Sequence, residues 1–413
     1  MTKTDKTNFY ILTPLFMIIF IDSFGISLVY PILAPLFNIK IGGILPATIS
    51  LTMRDFLYGL TLGIYPIFMF FGAPILGDLS DHIGRKKVLL ICLYSESACM
   101  CLSALAITIN SVLLLITARA FAGLVAGSMS TAQASIADVS HKNNKTVNLG
   151  LISFASSSGF IIGPLISSVL ADKDLVSWFS FSTPFLAAAA LAFLNASALI
   201  FTFKETFHPK AKQRIRLTKG LEVFISAFIN REIRRFAIIY LLLTLGWTMY
   251  IQYISLYLVQ VFGYSITQIG HYVAWIAIIL GFSYLIIVRI VAKFFRPIQI
   301  VSGALICAII GTSVVTWKIE LVAWITAIPI VIGRALSYTG SLTIFSNFAD
   351  KDSQGWVMGV AGAIMAASWG TGSILAGILG SFSVEAPFVT ATILLLLALA
   401  ATSSLFRKNS LIQ

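Results

Sequence analysis

The segment Gly77-Asp78-Leu79-Ser80-Asp81-His82-Ile83-Gly84-Arg85-Lys86-Lys87 stands between two apolar stretches, 56–76 and 88–109. Its glycines permit a tight turn between two helices. Asp81 offers an acceptor for an arginine or a helix N-terminus, and the basic run that follows suits one face of a membrane. Each flanking stretch has the ~20 apolar residues that a bilayer crossing needs. Working outward, the same kind of stretch recurs at 9–37, 112–137, 147–171 and 181–203. It recurs again at 236–262, 268–291, 298–316, 321–348, 355–381 and 387–406. These predict helices rather than barrel strands, because they are continuously apolar instead of alternating. Twelve spans use about 240 residues and leave short loops.

Composition agrees. Of 413 residues, 58% are hydrophobic and 11% charged, against ~25% charged in soluble proteins. Mean hydropathy is +0.95. That charge supply excludes a water-soluble enzyme or binding module. The net charge of +12 would suggest nucleic acid in a soluble chain, but the basic residues fall in alternate loops. Lys3, Arg85, Lys86, Lys87, Lys204, Arg231, Arg234, Arg235, Arg289, Lys293 and Arg296 share one side when both termini are placed in the cytoplasm. The first apolar stretch is longer than the ~7–15 residues of a signal peptide's core, so it reads as a true span. The four cysteines lack metal-ligand spacing and read as small core residues.

A polar segment, 204–235, separates six spans from six more, predicting an N-terminal lobe 1–203, a cytoplasmic linker and a C-terminal lobe 236–413. Within the linker, 217–228 reads equally as an amphipathic helix on the inner leaflet or a solvated strand of chain. The lobes look like distant repeats. Arg119 opens an intramembrane run ending in Ala137-Asp138, and Arg334 opens one ending in Ala349-Asp350. Repeat-built architecture of this kind places a solute site between lobes near the midplane.

Gly77, Asp81, Gly84, Arg85 and Lys86 match the loop signature of the major facilitator superfamily without a substitution, and in that family the loop acts as a cytoplasmic gating latch. Gly150, Gly159, Gly163 and Pro164 resemble the antiporter motif of the drug:proton branch, except that Ser167-Ser168 stand where the family has two glycines. Asp22-Ser23-Phe24-Gly25 with Pro31 and Pro35 is similar to the first span of tetracycline-type efflux pumps. Phe262-Gly263-Tyr264-Ser265 is a softer likeness in the second half. The resemblance implies an all-α fold of two six-helix lobes, alternating access, a bacterial inner membrane and a working unit of one chain.

Ionisable groups inside a bilayer are costly and therefore functional candidates. Here they are Asp22, Glu96, Arg119 and Arg334. Asp22 lies mid-span. Between burial and a nearby cation it can take a proton from one side and release it to the other; as a structural ion pair it would lock two helices. Arg119, with Gly123 and Gly127, resembles the family's coupling pattern in span four. Ala122 departs from the usual glutamine there. Glu96 stands three residues before the acid of the tetracycline pumps, whose place Cys99 takes. Arg334 has no acid on its own span and suits a carboxylate, bidentately. Trp247, Tyr250, Tyr253 and Tyr257 recur at helical steps on span seven. With Trp275 and Trp369 they are candidates for stacking on a solute or for packing.

No Gly-Lys dipeptide and no HExxH occur, so ATP-driven and zinc-peptidase chemistry are not expected. The expectation is a non-enzymatic carrier with no metal and no cofactor, driven by the proton gradient. It would export a drug-like solute or metabolite, its partners being that solute, protons and membrane lipid, with no nucleic acid. The alternative is proton-coupled uptake of an anionic solute such as a carboxylate metal chelate (a siderophore).

Overall fold

A computed structural model describes residues 3–38, 43–139, 145–205, 218–348 and 354–406. The middle of the linker, with Lys210, Lys212, Arg214 and Arg216, lies outside the described residues, as do Asp350 and the last seven positions. Every described element is helical: α1 (Lys3–Ser27), α2 (Val29–Phe37), α3 (Leu51–Ile83), α4 (Arg85–Thr108), α5 (Val112–Leu124), α6 (Ser128–Val139), α7 (Lys145–Leu170) and α8 (Thr183–Thr202). Then come α9 (Lys219–Ile229), α10 (Arg234–Phe262), α11 (Ile266–Phe282), a π turn at Ser283–Ile287, α12 (Val288–Phe294) and α13 (Pro297–Val314). A 3-10 turn (Val315–Trp317), α14 (Glu320–Asn347), α15 (Gln354–Gly380) and α16 (Ala386–Phe406) complete the chain. Among the described residues, eleven helical stretches are long and apolar enough to cross a membrane. The apolar part of α7, Phe154–Leu170, corresponds to the remaining expected span.

Three spans are broken, each for a local reason. Pro31 has no N–H for the carbonyl of Ser27, and the first span divides there into α1 and α2. The fourth divides at Val125–Gly127, where small residues let α3 press in. A Cβ on Gly72 would lie 2.1 Å from the Leu124 carbonyl oxygen, and one on Gly127 2.4 Å from Leu76 Cβ. The eighth carries the π turn, a distortion that recurs at functional sites. Elsewhere the chain stops where its residues say so: Gly84 at φ +100° opens α4 and Gly263 at φ +70° closes α10.

The contacts divide the chain into two compact units. The first comprises Met1–Pro46, Ile67–Lys219 and Ser265–Ala274; the second comprises Ala47–Pro66, Gly220–Tyr264 and Trp275–Gln413. These bounds differ from a division at the linker by exchanging two short segments, 47–66 and 265–274.

In the first unit, α1 and α7 approach to backbone distance. A Cβ on Gly159 would meet the Phe20 carbonyl oxygen at 2.5 Å, and one on Gly163 would meet Ser27 Oγ at 2.1 Å. Ser27 donates to the Gly159 carbonyl at 3.1 Å, and the Ser23 and Ser156 hydroxyls pair at 2.9 Å. Leu15, Ile18, Ile19, Leu93, Ala196 and Phe203 fill the core beside this seam. Segment 265–274 packs here too: Gly270 faces Ser168, whose Oγ a Cβ would reach at 2.4 Å. The serine that departs from the family's glycine is thus matched by a glycine opposite.

In the second unit, segment 47–66 packs on α10 and α15. A Cβ on Gly59 would meet the Ser373 carbonyl oxygen at 2.6 Å, and Tyr58 donates to the Gln252 carbonyl at 2.8 Å. The described part of the linker is helical from Lys219 to Ile229, as α9. It is not laid wholly on a leaflet: Val223, Phe224, Ala227 and Phe228 pack onto the core around Phe236 and Tyr240, and Trp356 donates to Ser226 at 3.0 Å. Leu221, Ile225 and Ile229 form its outward apolar stripe. Of the cysteines, Cys92 and Cys99 are buried while Cys101 is exposed on α4.

Candidate functional site

In the first unit Asp22 is buried where α1 passes the break between α5 and α6. Because span four stops and restarts, Ser128 and Met129 present the donors of a fresh helix N-terminus. Ser128 donates its hydroxyl to Asp22 Oδ2 at 2.8 Å, and the Met129 backbone N–H donates to the same carboxyl group. The third partner is Glu96 of α4, whose carboxyl is hydrogen-bonded to that of Asp22. Two carboxyl groups so placed can bond to each other only when one of them carries a proton. Room for it comes from Gly25, where a Cβ would stand 3.2 Å from Glu96 Oε1. Arg119, also buried, lies on α5 and acts electrostatically on Tyr30 of α2. The two acids therefore meet each other, and the partners of Asp22 are Ser128, Met129 and Glu96 rather than the arginine on span four.

The loop between α3 and α4 is tied within the same unit. Arg85 pairs with Asp81 at 3.4 Å and donates to Ser80 Oγ at 3.1 Å. Glu205, just past α8, accepts the backbone N–H groups of Arg85 and Lys86 at 3.0 and 3.1 Å, capping the start of α4. A Cβ on Gly84 would collide with that carboxylate at 2.4 Å. Lys86 donates to the Ile200 carbonyl at 2.7 Å, and Lys219 forms an ion pair with Asp78. Gly77 has open space around it. Of the two acceptor roles open to Asp81 in the sequence, it takes the arginine; Glu205 takes the helix terminus.

In the second unit the buried Arg334 of α14 has no carboxylate partner among the described residues. Tyr338 and Trp247 place rings 4.9 and 5.7 Å from its Cζ, and Met365 Sδ lies 3.7 Å from Nη2. A narrow cleft beside it is lined by Leu243, Gly246, Trp247, Tyr250, Ile330, Arg334, Ser337 and Leu395. Tyr250, Tyr253 and Tyr257 do share a face of α10, but all three are fully buried and gather on Phe388 at 6.1, 6.0 and 5.0 Å. Tyr257 donates to the Val315 carbonyl at 2.9 Å, and Trp275 to that of Trp324 at 3.2 Å. Their place is in packing, with only Tyr250 reaching the cleft. Trp369, on α15, has a buried indole N–H without an acceptor.

Residues 15–370 match the profile described as Major Facilitator Superfamily. The chain belongs to this superfamily. Among its relatives, Multidrug resistance protein 1 of Bacillus subtilis (strain 168) is 26% identical over 95% of each chain. The class E tetracycline resistance protein of Escherichia coli is 30% identical over 190 residues, 46% of this chain and 43% of its own length. The chain thus spans less than half of that relative. A bacterial homolog of the human lysosomal transporter Spinster, in its inward-facing, unoccupied conformation, superposes with a TM-score of 0.77 at 15% identity. It covers 98% of this chain and 99% of its own, a likeness of fold.

Set in a facilitator, three further features stand out that the sequence reading passed over. Glu205 sits in the polar linker, where a single acid carries no signal beyond following a span. Arg54, at the start of α3, is only 2% exposed and donates to the Ile49 carbonyl at 3.2 Å. Asp55 is buried beside it, accepting from Gln260 Nε2 at 2.8 Å and from the Tyr253 hydroxyl. An Arg-Asp pair at the very start of an apolar run was the available signal. No cluster of three or more His, Cys, Asp or Glu suited to a metal occurs among the described residues.

Proposed function

We propose that this facilitator is a proton-coupled exporter of a small, drug-like organic solute in a bacterial inner membrane, with both termini in the cytoplasm. The observation that carries the reading is the Asp22–Glu96 carboxyl pair set against the N-terminus of α6. A carboxyl pair bound through one proton is a ready acceptor for a second. With one proton it carries a negative charge, which the donors of Ser128 and Met129 hold. With two it is neutral and can change its exposure across the membrane without moving net charge. Release of the second proton on the other side resets it, so the gradient drives a cycle of alternating access with no bound cofactor.

Arg119 belongs to the same unit and contributes positive potential near the first span's second half. The latch residues, from Gly77 to Lys86, govern closure of the cytoplasmic side, and the seam of Gly159 and Gly163 positions the helix that carries Asp22. Export rather than import is supported by the relatives, which are named for tetracycline and multidrug resistance.

The test is transport in proteoliposomes with an imposed pH gradient, screened over tetracyclines and other drugs. Asp22→Asn and Glu96→Gln are expected to abolish gradient-driven accumulation while sparing solute counterflow, which needs no net proton movement. Accumulation at the wild-type level in both variants would end the coupling role of the pair.

A further inference from the structure

On α14 and α15 the second unit carries buried hydrogen-bond donors, Arg334 Nη1, Ser341 Oγ and Trp369 Nε1, that have no partner among the described residues. Arg334 is only 8% exposed, yet its Nη1 has no partner and its Nη2 finds just the Met365 thioether, a weak acceptor. Ser341 lies two turns further along α14, a spacing that shares the face of Arg334, and its fully buried hydroxyl is also unpartnered. The Trp369 indole N–H stands one turn beyond Met365 on α15, likewise without an acceptor.

Burying a guanidinium is costly unless an anion accompanies it. The two flanking rings return only part of that cost. The only fully buried acid of this unit among the described residues, Asp55, is occupied with Gln260 and Tyr253. Among the described residues of this unit no other buried acid stands ready to accept from Arg334.

The surroundings specify what kind. Trp247 and Tyr338 hold their rings over the guanidinium, and the π turn of the eighth span brings Tyr284 edge-on to Tyr338, 6.4 Å between centroids. Leu243, Ile330 and Leu395 wall the cleft beside them. We infer that Arg334 is the anion-binding subsite for a solute that joins a carboxylate to an aromatic or other apolar body. The carboxylate takes the open edge of the guanidinium; the cleft as it stands holds about 10 Å³, so it has to widen along Trp247 and the aliphatic wall to take the body. This rests on the transport reading above and narrows it: the solute is an organic acid or a zwitterion, not a simple lipophilic cation.

The experiment uses the purified full-length protein in detergent and three probes of one shape: 1-naphthoate, neutral 1-naphthamide and cationic 1-naphthylmethylamine. Equilibrium dialysis measures each affinity. Naphthoate is expected to bind on the order of 10-fold to 100-fold more tightly than the amide, the span of hydrogen bonds to a charged group, and the amine most weakly. Arg334→Lys keeps the charge but loses the fork, and is expected to lower naphthoate affinity about 10-fold. Arg334→Gln is expected to erase the preference for naphthoate over the amide. Equal binding of the three probes to the wild type, a comparison that needs no variant, would overturn the inference. So would a preference that survives Arg334→Gln. Gradient-driven flux without anion preference would remove this inference alone; anion preference without flux would remove the export reading alone.

Discussion

Gly159→Ala offers a sharp test of the seam that carries the first span. An added methyl would sit 2.5 Å from the Phe20 carbonyl oxygen, 2.8 Å from Ser23 Cβ and 2.9 Å from the Phe24 nitrogen. Two of these are backbone atoms, so no side-chain rotation relieves the clash, and α1 must part from α7 by roughly 1 Å to restore van der Waals contact. Overpacking of this kind costs about 1–3 kcal/mol. The parting also breaks the Ser27 bond to the Gly159 carbonyl, about 1 kcal/mol more. Against this, alanine in place of a helical glycine returns about 0.5–1 kcal/mol. The net loss is about 1–3.5 kcal/mol.

Gly303→Ala on α13 is the control. Nothing lies within 4 Å of its Cβ position, so only the gain of about 0.5–1 kcal/mol remains. Melting in detergent is expected to show Gly159→Ala less stable than wild type and Gly303→Ala equal or more stable. Flux should fall in the first variant only, because α1 carries Asp22. If the two substitutions shift the melting midpoint equally, the close approach of α1 and α7 is not what Gly159 serves.

Glu205→Gln keeps the cap on α4 but removes its charge; transport is expected to slow, with solute binding in detergent nearly unchanged, and Arg85→Ala should do the same more strongly. Asp55→Ala removes the acceptor shared by Gln260 and Tyr253 and is expected to cost about 1–3 kcal/mol, the penalty for leaving buried donors unpaired, read as a lower melting midpoint. Lys318 and Ser383, bonded to Glu385, hold its carboxyl below its ordinary value. A depressed folded-state value means that the pair stabilises the protein above the ordinary carboxylate range and that this is lost as pH falls through the folded-state value. The effect is about 0.2–1 kcal/mol for so exposed a pair, and the acid-side fall in melting temperature should flatten in Glu385→Gln.

The spans were legible because each needs a long apolar run, and every expected stretch coincides with one or two helices. Asp22, Glu96, Arg119 and Arg334 were legible as charges where charge is costly. Their partners were not. Whether Glu96 meets Asp22 depends on how α1 and α4 are rotated about their own axes, and no spacing within one helix encodes that. The same holds for span seven. Periodicity put Tyr250, Tyr253 and Tyr257 on one face, but the direction of that face, toward Phe388, is a property of α16. The break in the first span has its cause at Pro31, inside the span itself, whereas the break at Val125–Gly127 arises from Gly72 and Leu76 pressing in from another helix.

Gly25 gives the Asp-x-x-Gly pattern of the first span a meaning at the level of inheritance. The space it leaves is filled by Glu96 Oε1 and the Met100 methyl, 3.2 and 3.3 Å from where a Cβ would stand. A methyl at position 25 would ask Glu96 Oε1 and the Met100 methyl to give way by a few tenths of an ångström, which moves the carboxyl that faces Asp22. Positions 25 and 96, 71 residues apart along the chain, are thus coupled through one contact, and a mutational scan of either is expected to read differently in the background of the other.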